Sequence, residues 1–223
     1  SGHLSCPLPG VHNLRNILQA IAASAVAGVA LPDLLEAVGS LQAPPGRLEP
    51  LESKRGPVFV DYAHTPDALE RVLEFVRDLT DRRVLVVFGC GGDRDRSKRP
   101  LMAKAAARHS DYCVVTSDNP RSEDPEAIIR DIEKGMGGAS YETIVERDAA
   151  IRQAVALAEE GDVVLIAGKG HETYQEFAHG RVDFDDCRQA RRALAERQTQ
   201  SGLSLVEFAT GPPGSSGNFV AVD

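Results

Sequence analysis

The sequence lacks several features that would assign a chain to a specialised class of protein. Its four cysteines, spread over 223 residues, show none of the close pairing typical of a metal site. No apolar run approaches the length of a membrane span, and the N-terminus has no basic region followed by a hydrophobic stretch. These absences predict reduced, mostly structural cysteines and a cytoplasmic location, without a membrane partner.

An excess of positive charge is also missing. Acidic residues number 33 and basic residues 25, the net charge is −8, and the two signs are interspersed along the chain. Because no global cationic field would attract a polyanion, we expect no nucleic-acid partner, and any anion site must be local. A length of 223 residues allows one large domain with a proper core, or one domain with appendages.

The chain does contain a regular alternation of strand-like and helix-like segments. Continuous apolar runs at 84–88 and 163–167 are too short for buried helices and predict central strands covered on both faces. Further strands are predicted at 58–60, 112–116 and 143–145. Helices are predicted to begin at 66, to span 100–109, 125–134 and 148–159, and to lie near 185–198. This alternation predicts an α/β fold with a doubly wound, mostly parallel sheet, whose ligands bind at the carboxyl ends of the strands.

Segments at both ends of this pattern have a different character. Helical periodicity predicts helices at 13–26 and 32–38, a pair that resembles the end of something larger. Prolines and a glycine at 42–50 interrupt both periodicities and predict a hinge or linker. The tail at 199–223 has linker composition, and we expect it to be loosely held unless residues 219–222 add an edge strand.

An Asp-Asn-Pro-Arg segment at 118–121, just past a predicted strand, is the most informative motif. Asp118 offers a carboxylate, Asn119 offers donors and acceptors, and Arg121 offers a planar fork suited to a carboxylate. Together these groups can hold a small zwitterion by its carboxylate and its ammonium, which predicts an amino-acid pocket. The alternative is a turn that has a purely conformational role at a strand end.

Three further polar clusters follow predicted strands. Asp61 and His64 precede a helix and could meet ribose and phosphate, or serve as a turn residue and a surface imidazole. The loop at 89–100 combines glycines with a dense group of cations and favours an anion site over a mobile, solvated loop. In the loop at 168–172, Glu172 could hold a substrate ammonium, whereas a zinc site is disfavoured by the single adjacent His and Glu.

Neither glycine loop is a Walker A sequence, because no Gly-Lys followed by Ser or Thr closes it, so an ordinary P-loop is excluded there. If the strands are parallel, the four clusters converge in space. Their joint occurrence is stronger evidence for a site than any one of them.

Taken in chain order, the motifs at 10–16, 46–49, 61–66, 89–95, 118–121 and 168–172 resemble those of the Mur ligases of peptidoglycan synthesis. The resemblance covers roughly residues 10–198 and is greatest to the branch that adds meso-diaminopimelate, the MurE type. It implies a Rossmann-like Mur ligase C-terminal domain at 46–198. The last helices of the central ATPase domain would precede it at 1–45, and 199–223 would be a tail or linker.

The resemblance also implies roles for the matching positions. In similar enzymes the Asp-Asn-Pro-Arg motif contacts meso-diaminopimelate, and the lysine-adding relatives differ there, which favours diaminopimelate over lysine. The implied amino-acid site comprises Arg94, Asp118, Asn119, Arg121, Gly168 and Glu172. The implied ATP site comprises Asn16 at the adenine, Arg47 in the linker, Asp61 at the ribose and His64 near the phosphates. No catalytic residue and no metal ligand is assigned to this chain.

In the family, ATP with Mg²⁺ drives amide formation on UDP-N-acetylmuramoyl-L-alanyl-D-glutamate. The D-glutamate side-chain carboxylate is phosphorylated, and the amine of diaminopimelate attacks the acyl phosphate. A complete Mur ligase holds the UDP-sugar, the Walker loop and the magnesium ligands in two preceding domains, and none of these is found before residue 10. We therefore expect the 223-residue polypeptide alone to be inactive. The tail could be a junction to a fused neighbouring ligase.

Two alternatives stay open. The chain could be a noncatalytic domain that binds an amino acid or a nucleotide. It could also belong to a related ligase, either lysine-adding or similar to folylpolyglutamate synthetase, and in the latter the Asp-Asn-Pro-Arg motif should be functionally idle.

Overall fold

A computed structural model describes residue 8 and residues 11–41, 43–51 and 53–207. The helices are α1 (Val11–Val26), α2 (Leu31–Gly39), α3 (Pro66–Arg77), α4 (Lys98–His109), α5 (Pro125–Glu133), α6 (Arg147–Leu157) and α7 (Asp186–Glu207). The strands are β1 (Glu49–Leu51), β2 (Val58–Asp61), β3 (Val84–Phe88), β4 (Tyr112–Val115), β5 (Tyr141–Thr143), β6 (Val163–Ala167), β7 (Tyr174–Phe177) and β8 (Gly180–Asp183). The edge strand expected at 219–222 lies outside the described residues.

A six-stranded sheet in the order β1-β2-β6-β3-β4-β5 forms the centre of the fold. Strands β2 to β6 of this sheet run parallel, and β1 pairs antiparallel with β2. Side chains of β3 alternate between two cores, with Val86 and Phe88 facing α3, α4 and α5, and Leu85 and Val87 facing α6 and α7. The prediction of a doubly wound, mostly parallel α/β sheet is confirmed.

Some boundaries differ from the sequence-based expectation. The strand expected at 143–145 lies at Tyr141–Thr143, where it pairs with β4 alone as an edge strand and has exposed side chains at both ends. The last helix, expected to end near 198, continues to Glu207. The linker at 42–50 contains the start of β1, which Pro50 obscured. An edge strand tolerates a proline because one of its sides needs no hydrogen-bonded partner.

Helices α1 and α2 form where the periodicity predicted them, but most of their large apolar side chains are exposed. Ile17 is buried, whereas Leu14 and Leu18, expected on the same face, are about half exposed. Leu31 and Leu35 of α2 are exposed in the same way. This pair therefore does not contribute to either core of the sheet. Among the described residues, no helix combines the length and the apolarity needed to cross a bilayer.

The described cysteines are free thiols. Burial raises the pKa of Cys90 and of Cys187 to about 12, and that of Cys113 to about 11. Since the thiolate is the reactive form, these three side chains are chemically quiet at neutral pH. Cys6 lies outside the described residues.

The parallel strands bring their carboxyl ends to one edge of the sheet. The segments that leave this edge are 62–65 after β2, 89–97 after β3, 116–124 after β4 and 168–173 after β6. The first of them ends at Thr65, whose hydroxyl caps α3 by accepting a hydrogen bond from the Ala68 N–H at 3.3 Å. All four predicted polar clusters therefore lie at the same edge of the sheet.

Candidate functional site

A cavity of about 570 Å³ opens between the loops at the carboxyl edge of the sheet. We call it the strand-end cavity. Its lining includes every residue predicted for the amino-acid site, together with His64: Arg94, Asp118, Asn119, Arg121, Gly168 and Glu172. Cys90, Lys98 and Arg99 of the loop predicted to form an anion site also line it, as does Tyr174, which sequence reasoning did not assign to a site. Cations and carboxylates thus line the same cavity.

Asn119 is at the centre of the hydrogen-bond network beneath this cavity and is 3% exposed. Its Nδ2 donates to Glu172 Oε2 at 2.9 Å. Its Oδ1 accepts from the Glu176 backbone N–H at 3.0 Å and from Lys169 Nζ at 2.9 Å. These contacts fix the carboxamide, and one N–H of Nδ2 stays available to a ligand.

Arg121 has the left-handed backbone conformation, with φ of 52°. Its Nη1 donates to the Gly92 carbonyl at 2.8 Å, and its Nε donates to Glu176 Oε2 at 3.2 Å. The Arg121 N–H also donates to the Glu176 carbonyl at 2.8 Å, which ties this loop to β7. The guanidinium is thereby held at the wall of the cavity with donors left for a carboxylate.

Glu172 contributes negative charge to the same wall. Burial alone would raise its pKa, but hydrogen bonding from Asn119 and the charge of Lys169 outweigh burial and hold the pKa below its ordinary value. Its Oε2 accepts from Asn119 and from Lys169 Nζ, the latter at 3.1 Å. Within the described part of the chain, no hydrogen bond reaches Oε1. An ionised carboxylate oxygen is therefore available to an ammonium group.

Asp118 supplies a second carboxylate. Its Oδ2 is buried and has no hydrogen-bond partner among the described residues, and the nearest cation is Arg147, with Nη1 at 4.0 Å. Gly168 lies opposite with φ of 121°, and a Cβ at that position would come within 2.7 Å of Oδ2. The close approach of these two loops therefore requires a glycine at 168.

Arg147 holds the two loops from behind and is completely buried. Its Nε and Nη2 donate to both carboxylate oxygens of Asp186, at 2.8 and 2.7 Å. Its Nη2 also donates to the Ala167 carbonyl at 3.0 Å, and its Nη1 donates to the Ser117 carbonyl at 3.4 Å. Those carbonyls belong to the residues that immediately precede Gly168 and Asp118, so one guanidinium fixes the origins of both loops.

The glycine loop at 89–97 is hydrogen-bonded to the segment that follows β4. The Gly92 N–H donates to the Asn119 carbonyl at 2.9 Å, and a Cβ on Gly92 would lie 2.8 Å from the Pro120 carbonyl carbon. The loop cation Arg94 is exposed at the cavity and donates to the carbonyl of its neighbour Asp93. Asp93 in turn accepts from the Ser122 hydroxyl at 2.7 Å. These contacts favour an ordered anion-binding loop over the alternative of a mobile, solvated one.

Arg99, at the start of α4, anchors the same loop from inside the protein. It is 1% exposed and contacts both oxygens of Glu123, at 2.8 and 3.1 Å, and Asp131 at 3.0 Å. The Arg99 guanidinium lowers the pKa of Glu123 to about 2. This ion pair joins the glycine loop to the segment that carries Asn119 and Arg121.

The four residues predicted to bind ATP do not share one cavity as the residues predicted for the amino-acid site do. Both oxygens of Asp61 accept backbone N–H groups, from Ala63 and from Leu48, each at 2.8 Å. The Arg47 guanidinium lies 4.8 Å from the centre of the Tyr62 ring, which is 4.5 Å from the ring of His64. His64 lines the strand-end cavity, whereas Arg47 and Asp61 lie beside it behind Tyr62. Asn16 is exposed on α1 and is not among the lining residues.

Sequence reasoning missed the burial of three cations, Lys169, Arg147 and Arg99. Lys169 belongs to the motif at 168–172. The absence of a Ser or Thr after it excludes the phosphate-binding role of a Walker lysine, but it does not indicate what other role the lysine has. Arg147 had no signal, because an arginine at the start of a predicted helix is ordinarily exposed.

Comparisons with known proteins identify related sequences and structures. A family model described as "Mur ligase, glutamate ligase domain" matches residues 46–170. A UDP-N-acetylmuramoyl-L-alanyl-D-glutamate–2,6-diaminopimelate ligase from Geobacillus thermodenitrificans is 53% identical over 194 residues, which are 86% of this chain and 40% of that protein. The ligase of the same name from Parasynechococcus marenigrum is 52% identical over 206 residues, covering 89% of this chain and 41% of that protein.

Solved structures show the same similarity. One structure of a UDP-N-acetylmuramoyl-L-alanyl-D-glutamate–2,6-diaminopimelate ligase has a TM-score of 0.69 and 42% identity, covering 87% of this chain and 40% of that chain. The UDP-N-acetylmuramate-alanine ligase MurC of Thermotoga maritima has a TM-score of 0.64 at 23% identity, covering 90% of this chain and 41% of that chain, and shows the fold alone. The chain spans about two fifths of the length of the curated relatives it matches.

Proposed function

The chain belongs to the Mur ligase family, and from that premise we propose that it is part of a ligase that adds meso-diaminopimelate to UDP-N-acetylmuramoyl-L-alanyl-D-glutamate. In this proposal residues 46–198 are the C-terminal domain, residues 1–45 belong to the central ATPase domain, and 199–223 are a tail or a junction to a neighbouring ligase. The chain supplies the amino-acid site and part of the ATP site of a cytoplasmic enzyme. The 223-residue polypeptide by itself forms no amide.

The strand-end cavity carries this proposal, because its charges complement a diamino diacid. Arg94 and Arg121 are available to carboxylates, and Asp118 and Glu172 are available to ammonium groups. Lysine has the same two amines but one carboxylate fewer, so it would leave a guanidinium and the Asn119 N–H without a partner. A site built around a polar group of its ligand strongly rejects an analogue that lacks the group.

The role of these residues in the reaction is to bind and orient. The cavity would hold the pole of meso-diaminopimelate that does not react, with its carboxylate at Arg121 and Asn119 and its ammonium at Glu172. The other amine, as the free base, would attack the acyl phosphate of the glutamyl side chain, forming the amide bond and releasing inorganic phosphate. Positioning converts a bimolecular attack into an intramolecular one, which is a large part of the rate enhancement that an enzyme can supply.

The residues beside the cavity also fit part of an ATP molecule. The Arg47 guanidinium and the exposed His64 imidazole, joined through the Tyr62 ring, present a cation and a hydrogen-bonding group suited to phosphate. The Asp61 carboxylate holds the 46–48 segment against β2, so a ribose would share oxygens that already accept backbone N–H groups. When bound, ATP with Mg²⁺ supplies the phosphoryl group, and we assign no Mg²⁺ ligand to this chain.

Isothermal titration calorimetry tests the proposal. The chain should bind meso-diaminopimelate in preference to lysine, and Arg121→Ala should lose roughly 2 to 5 kcal/mol of diaminopimelate binding, as is typical when one partner of a desolvated charged contact is removed. Arg192→Ala is the matched control, since that arginine is exposed on α7 and pairs with Glu196 on the same helix. Equal affinity for the two amino acids, or an Arg121→Ala variant that binds as tightly as the wild type, would contradict the assignment. Preferential binding of glutamate would instead support the folylpolyglutamate synthetase-like alternative.

A further inference from the structure

We propose that Lys169 is a positioning and specificity-determining residue of the strand-end cavity, acting through Asn119 and Glu172. This inference rests on the proposed diaminopimelate site and goes beyond it. Lys169 lies outside the lining of the cavity and is completely buried. It therefore acts on the ligand through the two side chains that it contacts.

The contacts of the Lys169 ammonium explain how it would act. Nζ donates to Asn119 Oδ1 at 2.9 Å and to Glu172 Oε2 at 3.1 Å, and these two side chains are themselves joined by the Asn119 Nδ2 bond at 2.9 Å. An ammonium has donors only, so the carboxamide must turn its oxygen toward Lys169 and its N–H groups toward Glu172 and the cavity. The lysine thus favours the orientation in which Asn119 can donate to a ligand carboxylate.

The charge of Lys169 also changes what the cavity prefers to bind. Glu172 is ionised beneath the cavity, and the ammonium 3.1 Å away offsets its charge while leaving Oε1 uncommitted. Without that ammonium the cavity gains one uncompensated negative charge. Diaminopimelate has no net charge at neutral pH, whereas lysine has a net charge of one. Removing Lys169 should therefore disfavour diaminopimelate relative to lysine, because a net negative site favours the more cationic ligand.

The burial of Lys169 is itself unusual and supports a specific role. A buried ammonium is costly unless it is paired and hydrogen-bonded, and lysine is almost never fully buried otherwise. Here the compensation comes from the two ligand-facing side chains and from the Tyr174 ring, whose centre is 5.4 Å from Nζ. Tyr174 also lines the cavity, so Asn119, Glu172 and Tyr174, the partners of this ammonium among the described residues, all belong to the cavity wall.

A binding experiment separates this role from a merely structural one. Calorimetry of the 223-residue chain with meso-diaminopimelate and with lysine compares the wild type, Lys169→Met and the exposed control Lys104→Met. We expect Lys169→Met to weaken diaminopimelate binding about tenfold or more, the size expected for lost charge-assisted hydrogen bonds, and to weaken lysine binding by less than about threefold. Equal losses for both ligands would overturn the inference.

A double-mutant cycle tests whether Lys169 acts through Asn119. If it does, Lys169→Met lowers diaminopimelate affinity by a smaller factor in an Asn119→Ala background than in the wild type, and the remaining loss reflects the charge beside Glu172. Fully additive losses would mean that Asn119 plays no part and would contradict the proposal. Thermal melting verifies that each variant is folded. Should Lys169→Met fail to fold, Lys169→Gln keeps a hydrogen-bond donor, removes the charge, and should shift the preference between the two ligands in the same direction.

A ligand-free measurement keeps this inference distinguishable from the proposed function. In amide NMR spectra, Lys169→Gln should move the side-chain NH₂ resonances of Asn119, while Lys104→Gln should not. Unmoved resonances contradict the positioning role even if diaminopimelate binds. Failure of the wild type to bind diaminopimelate, with the resonances moved as expected, would contradict the proposed function and leave the contact between Lys169 and Asn119 supported.

Discussion

Gly46 shows how a single residue connects the proposed hinge to the cavity. Its φ is +67°, and a Cβ there would lie 2.6 Å from the Gly170 Cα and would overlap the backbone of His171. Gly46→Ala should therefore lower the free energy of unfolding by roughly 1 to 3 kcal/mol, from backbone strain and overpacking together. Urea denaturation measures this change. The matched control is Gly39→Ala at the end of α2, where a Cβ would meet nothing within 4 Å, and a similar loss in both variants would contradict the explanation.

The lowered pKa of Glu123 leads us to expect that the free energy of unfolding depends on pH. The hydrogen bond from Arg99 lowers its pKa from 4.5 to about 2, so folding favours the ionised form. The stability that results is complete above about pH 4.5 and is lost as the pH falls toward 2. The free energy of unfolding of Glu123→Gln should thus decline less than that of the wild type across this range, measured by denaturation at each pH. Glu160→Gln, at an exposed position, should follow the wild type, and parallel curves for Glu123→Gln and the wild type would contradict the account.

The clustering of the residues proposed for the amino-acid site could be predicted, because these residues are concentrated in short motifs. Asn119, Arg121 and Glu172 each follow a strand whose apolar run is unambiguous, so the sheet itself brings them together. The cations behind them could not be predicted in the same way. The roles of Lys169 and Arg147 depend on burial, which comes from packing between segments far apart in the sequence.

Helices α6 and α7 are joined at their N-terminal ends by the buried pair of Arg147 and Asp186, neither of which is exposed. Arg147→Met should cost roughly 3 to 5 kcal/mol of unfolding free energy, because it leaves the Asp186 carboxylate buried without its cation. Replacing both partners, as in Arg147→Met with Asp186→Leu, should recover most of this loss. Chemical denaturation measures both variants.

An exposed pair on the same helix provides the control for that prediction. Arg152 and Asp148 of α6 are each about 40% exposed and lie 2.7 Å apart. Arg152→Met should change the free energy of unfolding by no more than about 1 kcal/mol, because solvent screens such pairs. A loss as large as that of Arg147→Met would mean that burial is not the cause. A double variant as unstable as Arg147→Met alone would also contradict the explanation.

At the scale of elements, the central strands and the helices between them were predictable, whereas the minor strands were not. β3 and β6 are continuous apolar runs, and the caps at Thr65 and Asp124 mark helix starts that the structure confirms. The hairpin of β7 and β8 was missed because neither strand has an apolar alternation and every residue of β8 is exposed. It nevertheless supplies the Glu176 backbone contacts to Asn119 and Arg121, so an element without a sequence signal completes the site.

At the scale of the whole molecule, the fold places the binding chemistry at one edge of the sheet and leaves α1 and α2 outside both cores. Most of their large apolar side chains are exposed in the part of the chain that the structure describes, whereas Ile17 and Val38 are buried. The domain assignment of residues 1–45 stays a prediction. The presence of helices α1 and α2 could be predicted from the sequence, because helical periodicity is a local pattern. The direction in which the helix pair packs depends on contacts that no local pattern contains.

A crystal structure of the 223-residue chain with meso-diaminopimelate tests the central claim most directly. We predict that the ligand lies in the strand-end cavity, with a carboxylate hydrogen-bonded to Arg121 and Asn119 and the ammonium of the same pole at Glu172. The opposite polarity, with an ammonium facing Arg121, or a ligand bound away from this cavity, would contradict the account.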